Sequence, residues 1–165
     1  MYYINLFYIN SIIGYILESI FYFLFNWEGN SGILFGPWTP VYGIGSILII
    51  ILFKLVNKLN ISKIIKYIIF FFVIATALSI IEIIGGNLIE MIFHETFWNY
   101  KNHAFNIGKY ASLEMSILWG FASIIYIILL KNIIDKIVNR IPKFITYIIT
   151  ILLIFDICAT IILKI

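Results

Sequence analysis

Charge is what this sequence has least of. Only 12% of its 165 residues are Asp, Glu, Lys or Arg, while 63% are hydrophobic; soluble domains run near a quarter charged and half apolar. No polar region stands apart from the rest, so the chain reads as one integral membrane domain spanning residues 1–165, with lipid as its outer solvent. Cysteine occurs once, as Cys158, which excludes an intrachain disulfide and a Cys/His metal framework. No G-x-x-x-x-G-K-[ST] stretch occurs, so the chain cannot cradle ATP phosphates in the Walker manner, and any ATPase would be a separate protein. Neither a G-x-S-x-G elbow nor a Cys/His pairing points to a nucleophile. No cofactor is implied. Arginine occurs once, while Ile and Lys are abundant, a bias expected of an AT-rich bacterial genome. The net charge of +3 is small, and the cations lie in short clusters between apolar runs. That placement suits anionic lipid headgroups, not nucleic acid.

What is present in quantity is long apolar runs. A spanning helix needs about 20 mostly apolar residues, and five runs qualify: 3–25, 37–56, 64–93, 108–130 and 144–163. The third exceeds the need, so it tilts or extends past the hydrocarbon. The expected fold is all-α, because open strands would leave backbone groups unpaired in lipid. The first run has no basic start and no small-residue cleavage site, and it carries Glu18, so it reads as a retained helix. Lys54, Lys58, Lys63, Lys66, Lys131, Lys136, Arg140 and Lys143 flank the second and fourth connections, whereas the third has only Lys101 and Lys109. The positive-inside rule then places the N-terminus in the cytoplasm and the C-terminus outside, in the cytoplasmic membrane.

Two of the three prolines and four of the ten glycines fall within Gly32–Gly45. Gly36, Pro37, Pro40, Tyr42, Gly43 and Gly45 form a turn leading into the second helix. In one reading a proline opens the helix and the glycines permit close contact. In the other, a broken helix frees backbone groups to line a ligand site.

Glu18, Glu82, Glu90, Glu114 and Asp156 lie inside or at the edge of the apolar runs, where a carboxylate is costly and usually faces the bundle interior or a wet cavity. Ser11, Tyr15, Glu18 and Tyr22 share one face of the first helix, and Ser79, Glu82, Gly86 and Glu90 share one face of the third. Thr146, Thr150, Asp156 and Thr160 make a looser stripe on the fifth. On the fourth, Lys109, Ser112, Ser116, Gly120 and Ser123 form a small-residue face, with Glu114 nearly opposite. The carboxylates could pair internally with Tyr15, Tyr22, Trp98, Asn106 or Lys109, or could form a cation or proton site. His94, Glu95 and His103 match no zinc signature, and no metal is expected. Trp27, Trp38, Trp98 and Tyr100 suit an aromatic belt, with Trp98 and Tyr100 also able to cap a cavity.

Two stretches resemble a known family. Gly32-Ile-Leu-Phe-Gly-Pro-Trp-Thr-Pro-Val-Tyr-Gly-Ile-Gly45 is similar to a G-x-L-x-G-P-x-x-P-I-Y-G-x-G signature. Phe97-Trp98-Asn99-Tyr100, with Phe105-Asn106-Ile107-Gly108 and Trp119-Gly120, is similar to W-D-Y-S … F-N-x-x-G … W-G. Glu82 sits where that family keeps a glutamate. Together they resemble the bacterial membrane family catalogued as "Putative ABC-transporter type IV", or CmpB-like. Asn99 stands where that family has Asp, and Lys101 where Ser is common. The resemblance implies a multi-pass protein of a transport system.

The combined expectation is a five-helix bundle with a polar pocket in its outer half. Glu18, Glu82, Glu90, Glu114, Trp98, Tyr100 and Asn106 are the candidates for binding a substrate or ion. The expected partners are the lipid bilayer, a separate ATPase or other membrane subunit, and a second copy of the chain. Two alternatives stand beside transport. One is an assembly protein that pairs with partner helices through the small-residue face of the fourth helix (Ser112, Ser116 and Gly120) and through the Gly-rich turn. The other, ranked lowest, is a membrane enzyme using a carboxylate as acid or base.

Overall fold

The computed structural model describes residues 1–25 and 32–164; Trp27 lies outside the described residues. Six helices follow in order: α1 (Tyr2–Phe25), α2 (Pro40–Asn57), α3 (Lys63–Phe93), α4 (Leu113–Ile125), α5 (Lys131–Val138) and α6 (Lys143–Lys164). A π-helical turn, Tyr126–Leu130, joins α4 to α5, so Leu113–Val138 is one continuous rod. Five helices are long and apolar enough to cross a membrane, as the hydrophobic runs predict. The fourth starts later and ends later than its apolar run. Asn106–Ile107 and Ala111–Ser112 instead pair as a short antiparallel hairpin, β1 and β2. Gly108 turns this hairpin at φ +70°, a conformation with little cost only for glycine. Ser112 then caps α4, its hydroxyl accepting from the Met115 N–H. At the far end, α5 alternates charge with Ile134 and Val138 on one buried face, so helix continues where hydropathy alone stops.

Contacts gather into two compact units: Met1–Ser46 with Ile134–Ile165, and Ile47–Ile133. In the first, α1 and α6 are joined by polar side chains. Thr146 donates to Asn5 Oδ1 at 2.7 Å, Asn5 donates to the Val138 carbonyl at 3.2 Å, and the Tyr8 hydroxyl donates to Thr150 Oγ1 at 2.7 Å. Pro40 opens α2, where its missing N–H does no harm. Just before it, the Thr39 N–H donates to the Ser11 carbonyl of α1 at 3.0 Å. Gly14 lies against the Tyr42 ring, and Gly43 against Phe7 and Ser11. In the second unit, α3 packs on α4. The Ser79 and Ser116 hydroxyls meet at 2.6 Å, Gly120 lies against the Phe71 ring, and Phe71 meets Phe121 edge to face.

Both units bury polar side chains among apolar ones such as Leu6 and Phe70, and both turn large apolar side chains outward. Asn5, Ser11, Ser46, Ser112, Ser123, Thr146 and Thr160 are buried, while Phe23 is 82% exposed and Ile162 77%. Water would not tolerate that surface; lipid does.

The close approach at Gly43 is testable. A Cβ there would meet the Phe7 carbonyl oxygen at 2.7 Å, a backbone atom that cannot step aside. Gly43→Val is expected to destabilise by about 1–3 kcal/mol, the usual range for overpacking. At Gly85 the nearest atom to an added Cβ is 3.9 Å away, so Gly85→Ala should melt within a degree or two of wild type. Thermal unfolding in detergent compares the two.

Candidate functional site

The carboxylates that helical spacing singles out do reach buried or half-buried positions, but they fall into separate arrangements. In the first unit, Glu18 Oε1 accepts from the Tyr42 hydroxyl at 3.0 Å, tying α1 to the first turn of α2. The Gly/Pro turn is held by Asp156 of α6. Its Oδ1 accepts from the Phe35 N–H at 3.0 Å, and its Oδ2 accepts from the Gly36 N–H at 2.8 Å and from the Trp38 indole at 2.5 Å. Thr160, one turn along α6, donates to Oδ1 at 3.3 Å. The backbone groups that the turn frees from helix are thus taken by a carboxylate of the same chain. Pro37 lies in the turn, and Gly45 is buried on α2. Gly36 has no room for a side chain, since a Cβ would press on Trp38 and on Asp156. Lys164 fastens the turn again by donating to the Ile33 carbonyl at 2.6 Å.

In the second unit, Glu82 sits on the buried face of α3 and is 7% exposed. The Tyr100 hydroxyl donates to its Oε1 at 3.3 Å. The Trp119 indole of α4 is its other donor, in poorer geometry than a regular hydrogen bond. Among the described residues the ion pairs lie elsewhere, at Lys109–Glu90 and His103–Glu114, so neutral donors alone contact Glu82. Tyr100 reaches it from the connection between α3 and α4, and that connection is braced at several points. The Tyr100 N–H donates to the Lys109 carbonyl at 2.8 Å, and the Trp98 indole donates to the Tyr110 carbonyl at 3.4 Å. Gly86 lets the Tyr110 ring lie flat on α3.

The remaining candidates serve this brace. Glu90 accepts from Lys109 and from the Tyr110 hydroxyl. The Glu90 carboxylate, with the Tyr110 hydroxyl, pushes the Lys109 ammonium above the ordinary lysine value. Glu114 accepts from the Phe105 N–H at 3.1 Å, and His103 lies between Glu114 and the Ser112 hydroxyl. The Asn106 amide is exposed and donates to the Lys101 carbonyl at 2.9 Å. Neither Glu114 nor Asn106 contacts Glu82. Among the described residues, no three His, Cys, Asp or Glu side chains gather as a metal site. Trp119 contributes to the Glu82 surroundings although spacing alone did not single it out as a ligand. Asp156 was visible only as part of a stripe, because its partners lie some 120 residues upstream in a non-helical turn.

The family described as "Putative ABC-transporter type IV" matches residues 5–164. Neither a curated protein nor a solved structure matches the chain.

Two outcomes follow from this geometry. Asp156→Ala leaves two backbone N–H groups and an indole without an acceptor. It should cost about 2 kcal/mol or more and loosen the backbone of the turn, so that chymotrypsin cuts faster at Phe35 and Trp38, with cleavage rate as the measurement. The raised Lys109 value gives a pH dependence of definite sign. The pair's contribution is complete below 10.5, the ordinary lysine value, and fades as pH climbs through the higher folded value. Melting in detergent from neutral to strongly alkaline pH, wild type against Lys109→Met, should show the two curves converging at the alkaline end.

Proposed function

We propose, because the chain belongs to the family described as "Putative ABC-transporter type IV", that it is a permease-like membrane component of a transport system. It has no phosphate-cradling loop, so an ATP-driven step would fall to a separate ATPase. Five spans are few for a complete transporter, which favours work alongside another membrane subunit or a second copy of the chain. By the cation imbalance, the N-terminus lies in the cytoplasm and the C-terminus outside, in a bacterial cytoplasmic membrane.

The observation that supports the mechanism is Glu82. It is a carboxylate inside a span, 7% exposed, contacted by tyrosine and tryptophan donors and by no cation among the described residues. Such a group keeps its capacity for a proton or a cation, whereas a carboxylate locked to a lysine does not. Tyr100, carried on a connection and not on a helix, is the contact that would open or close this position. Glu18, facing Tyr42, is a second carboxylate–tyrosine pair of the same chemistry. The assembly reading relied on the Gly-rich turn and on Ser112, Ser116 and Gly120 of the fourth helix meeting partner helices, and the last three decide against it. Those residues are buried within their own unit, with Ser116 on Ser79 and Gly120 on Phe71, so the transport reading is preferred.

Affinity purification of the tagged protein from its host in mild detergent, read by mass spectrometry, should recover an ATPase in stoichiometric amount. Recovery of the protein alone would remove the subunit reading. In proteoliposomes of the purified assembly, Glu82→Gln should abolish cation- or proton-dependent flux while the melting temperature is kept. Unchanged flux would remove the carboxylate mechanism.

A further inference from the structure

The corner between α2 and α3 carries chemistry of the opposite sign. A cavity of about 380 Å³ opens there, lined by Phe53, Asn57, Ile61, Lys63, Lys66 and Tyr67. Lys54 and Lys58 stand on the last turns of α2 and just beyond it. No Asp or Glu occurs between Glu28 and Glu82, and four lysines gather within 13 residues of that stretch. The ion pairs among the described residues leave Lys63 and Lys66 out.

The corner is also shaped. Lys66 Nζ donates to the Asn57 carbonyl at 2.8 Å and to Asn57 Oδ1 at 3.4 Å. An ammonium has three donors, so this clamp fixes the lysine beside the cavity with one N–H to spare. Ser62 caps α3, its hydroxyl accepting from the Ile65 N–H, and the positive end of the α3 backbone adds to the same field. Behind the lysines the wall is apolar. Phe53 meets Phe70 edge to face at 5.2 Å and lies 5.9 Å from the Tyr67 ring. The apolar spans end at Asn57 and begin again at Lys63, so the cavity sits where hydrocarbon gives way to headgroups.

We propose that this corner binds an anionic membrane phospholipid. Its phosphate is held by Lys63 and Lys66, and its glycerol and upper acyl carbons lie against Phe53, Ile61 and Tyr67. A free phosphate would use the lysines and leave the aromatic wall idle; a lipid uses both.

Native mass spectrometry of the intact purified protein tests this, with phosphatidylglycerol, phosphatidylcholine and inorganic phosphate as probes. Phosphatidylglycerol should be retained in preference to phosphatidylcholine. A basic residue near an anionic surface is worth about fivefold in affinity, so Lys63→Gln/Lys66→Gln together should weaken phosphatidylglycerol binding by about 25-fold. Lys136→Gln/Lys143→Gln removes the same charge from another connection and should leave it unchanged. Lys63→Arg/Lys66→Arg should retain binding, which separates lost charge from lost folding. Equal binding of the two lipids, or equal weakening by both Gln pairs, would overturn the proposal. So would full displacement of lipid by millimolar inorganic phosphate, which would identify free phosphate as the ligand. Loss of a co-purifying protein in Lys63→Gln/Lys66→Gln with lipid binding intact would assign the corner to a protein partner and overturn it as well.

Discussion

Many hydroxyls, amides and carboxylates of this protein are buried, beside an apolar core of Leu6, Ile50, Phe70 and Ile74, while many large apolar side chains face outward, and the rest of the structure answers to that burial of polarity. A buried polar group costs free energy unless it is hydrogen-bonded, and in lipid the cost cannot be recovered from water. Much of the interior polarity is accordingly paired, Asn5 with Thr146 and Val138, Tyr8 with Thr150, Ser79 with Ser116, while Ser11 Oγ and Glu82 Oε2 are buried without a regular hydrogen bond. Apolar burial cannot drive these helices together, because lipid tails are as apolar as leucine. Close packing at Gly14, Gly43, Gly86 and Gly120 takes that role, each glycine lying against a neighbouring ring or side chain.

The same constraint sorts the carboxylates by the kind of donor each meets. Asp156 meets backbone N–H groups and an indole, which hold it to one geometry and let it shape the Gly/Pro turn. Glu90 meets an ammonium and a phenol, and that pair closes the connection onto α3. Glu82 meets only neutral side-chain donors. A neutral hydroxyl or indole can give way to an incoming cation, or tolerate a proton on the acid, without stranding a buried charge. An ammonium such as Lys109 instead competes with an incoming cation for the same carboxylate. Donor type and depth together set Glu82, 7% exposed, apart from Glu90, whose side chain is 43% exposed.

Those distinctions were only partly legible in the chain. The spans were legible because length and hydropathy suffice for them. The stripe Ser79, Glu82, Gly86 and Glu90 was legible because residues three and four apart share a helix face; Ser79, Glu82 and Gly86 are indeed buried. Asp156 belonged to a stripe too, but its role depends on a turn that no periodicity describes. Glu114 and Asn106 carry motif resemblance and suitable chemistry, yet they brace a connection whose path is set by hairpin pairing and by Gly108 at positive φ. The start of α4 had a local signal, since Ser112 is a good cap followed by an acid two residues on. The hydrophobic count overran that signal, as it missed α5 by stopping at the first lysine.

Helix α3 shows why basic corner and buried acid belong to one scheme. Lys63 and Lys66 stand in its first turn, and Glu82 and Glu90 in its second half. Sixteen residues separate Lys66 from Glu82, a rise of about 24 Å, most of the roughly 30 Å of hydrocarbon. If the lysines sit at one headgroup layer, Glu82 lies in the far third of the membrane, within reach of the connection that carries Tyr100. On the proposed lipid contact, lysines at an anionic surface would fix how deep α3 sits. That depth decides whether Glu82 meets hydrocarbon or the polar residues of the connection. On that proposal the cationic corner and the buried acid are two ends of one ruler, and displacement of either end would change the cost of the other.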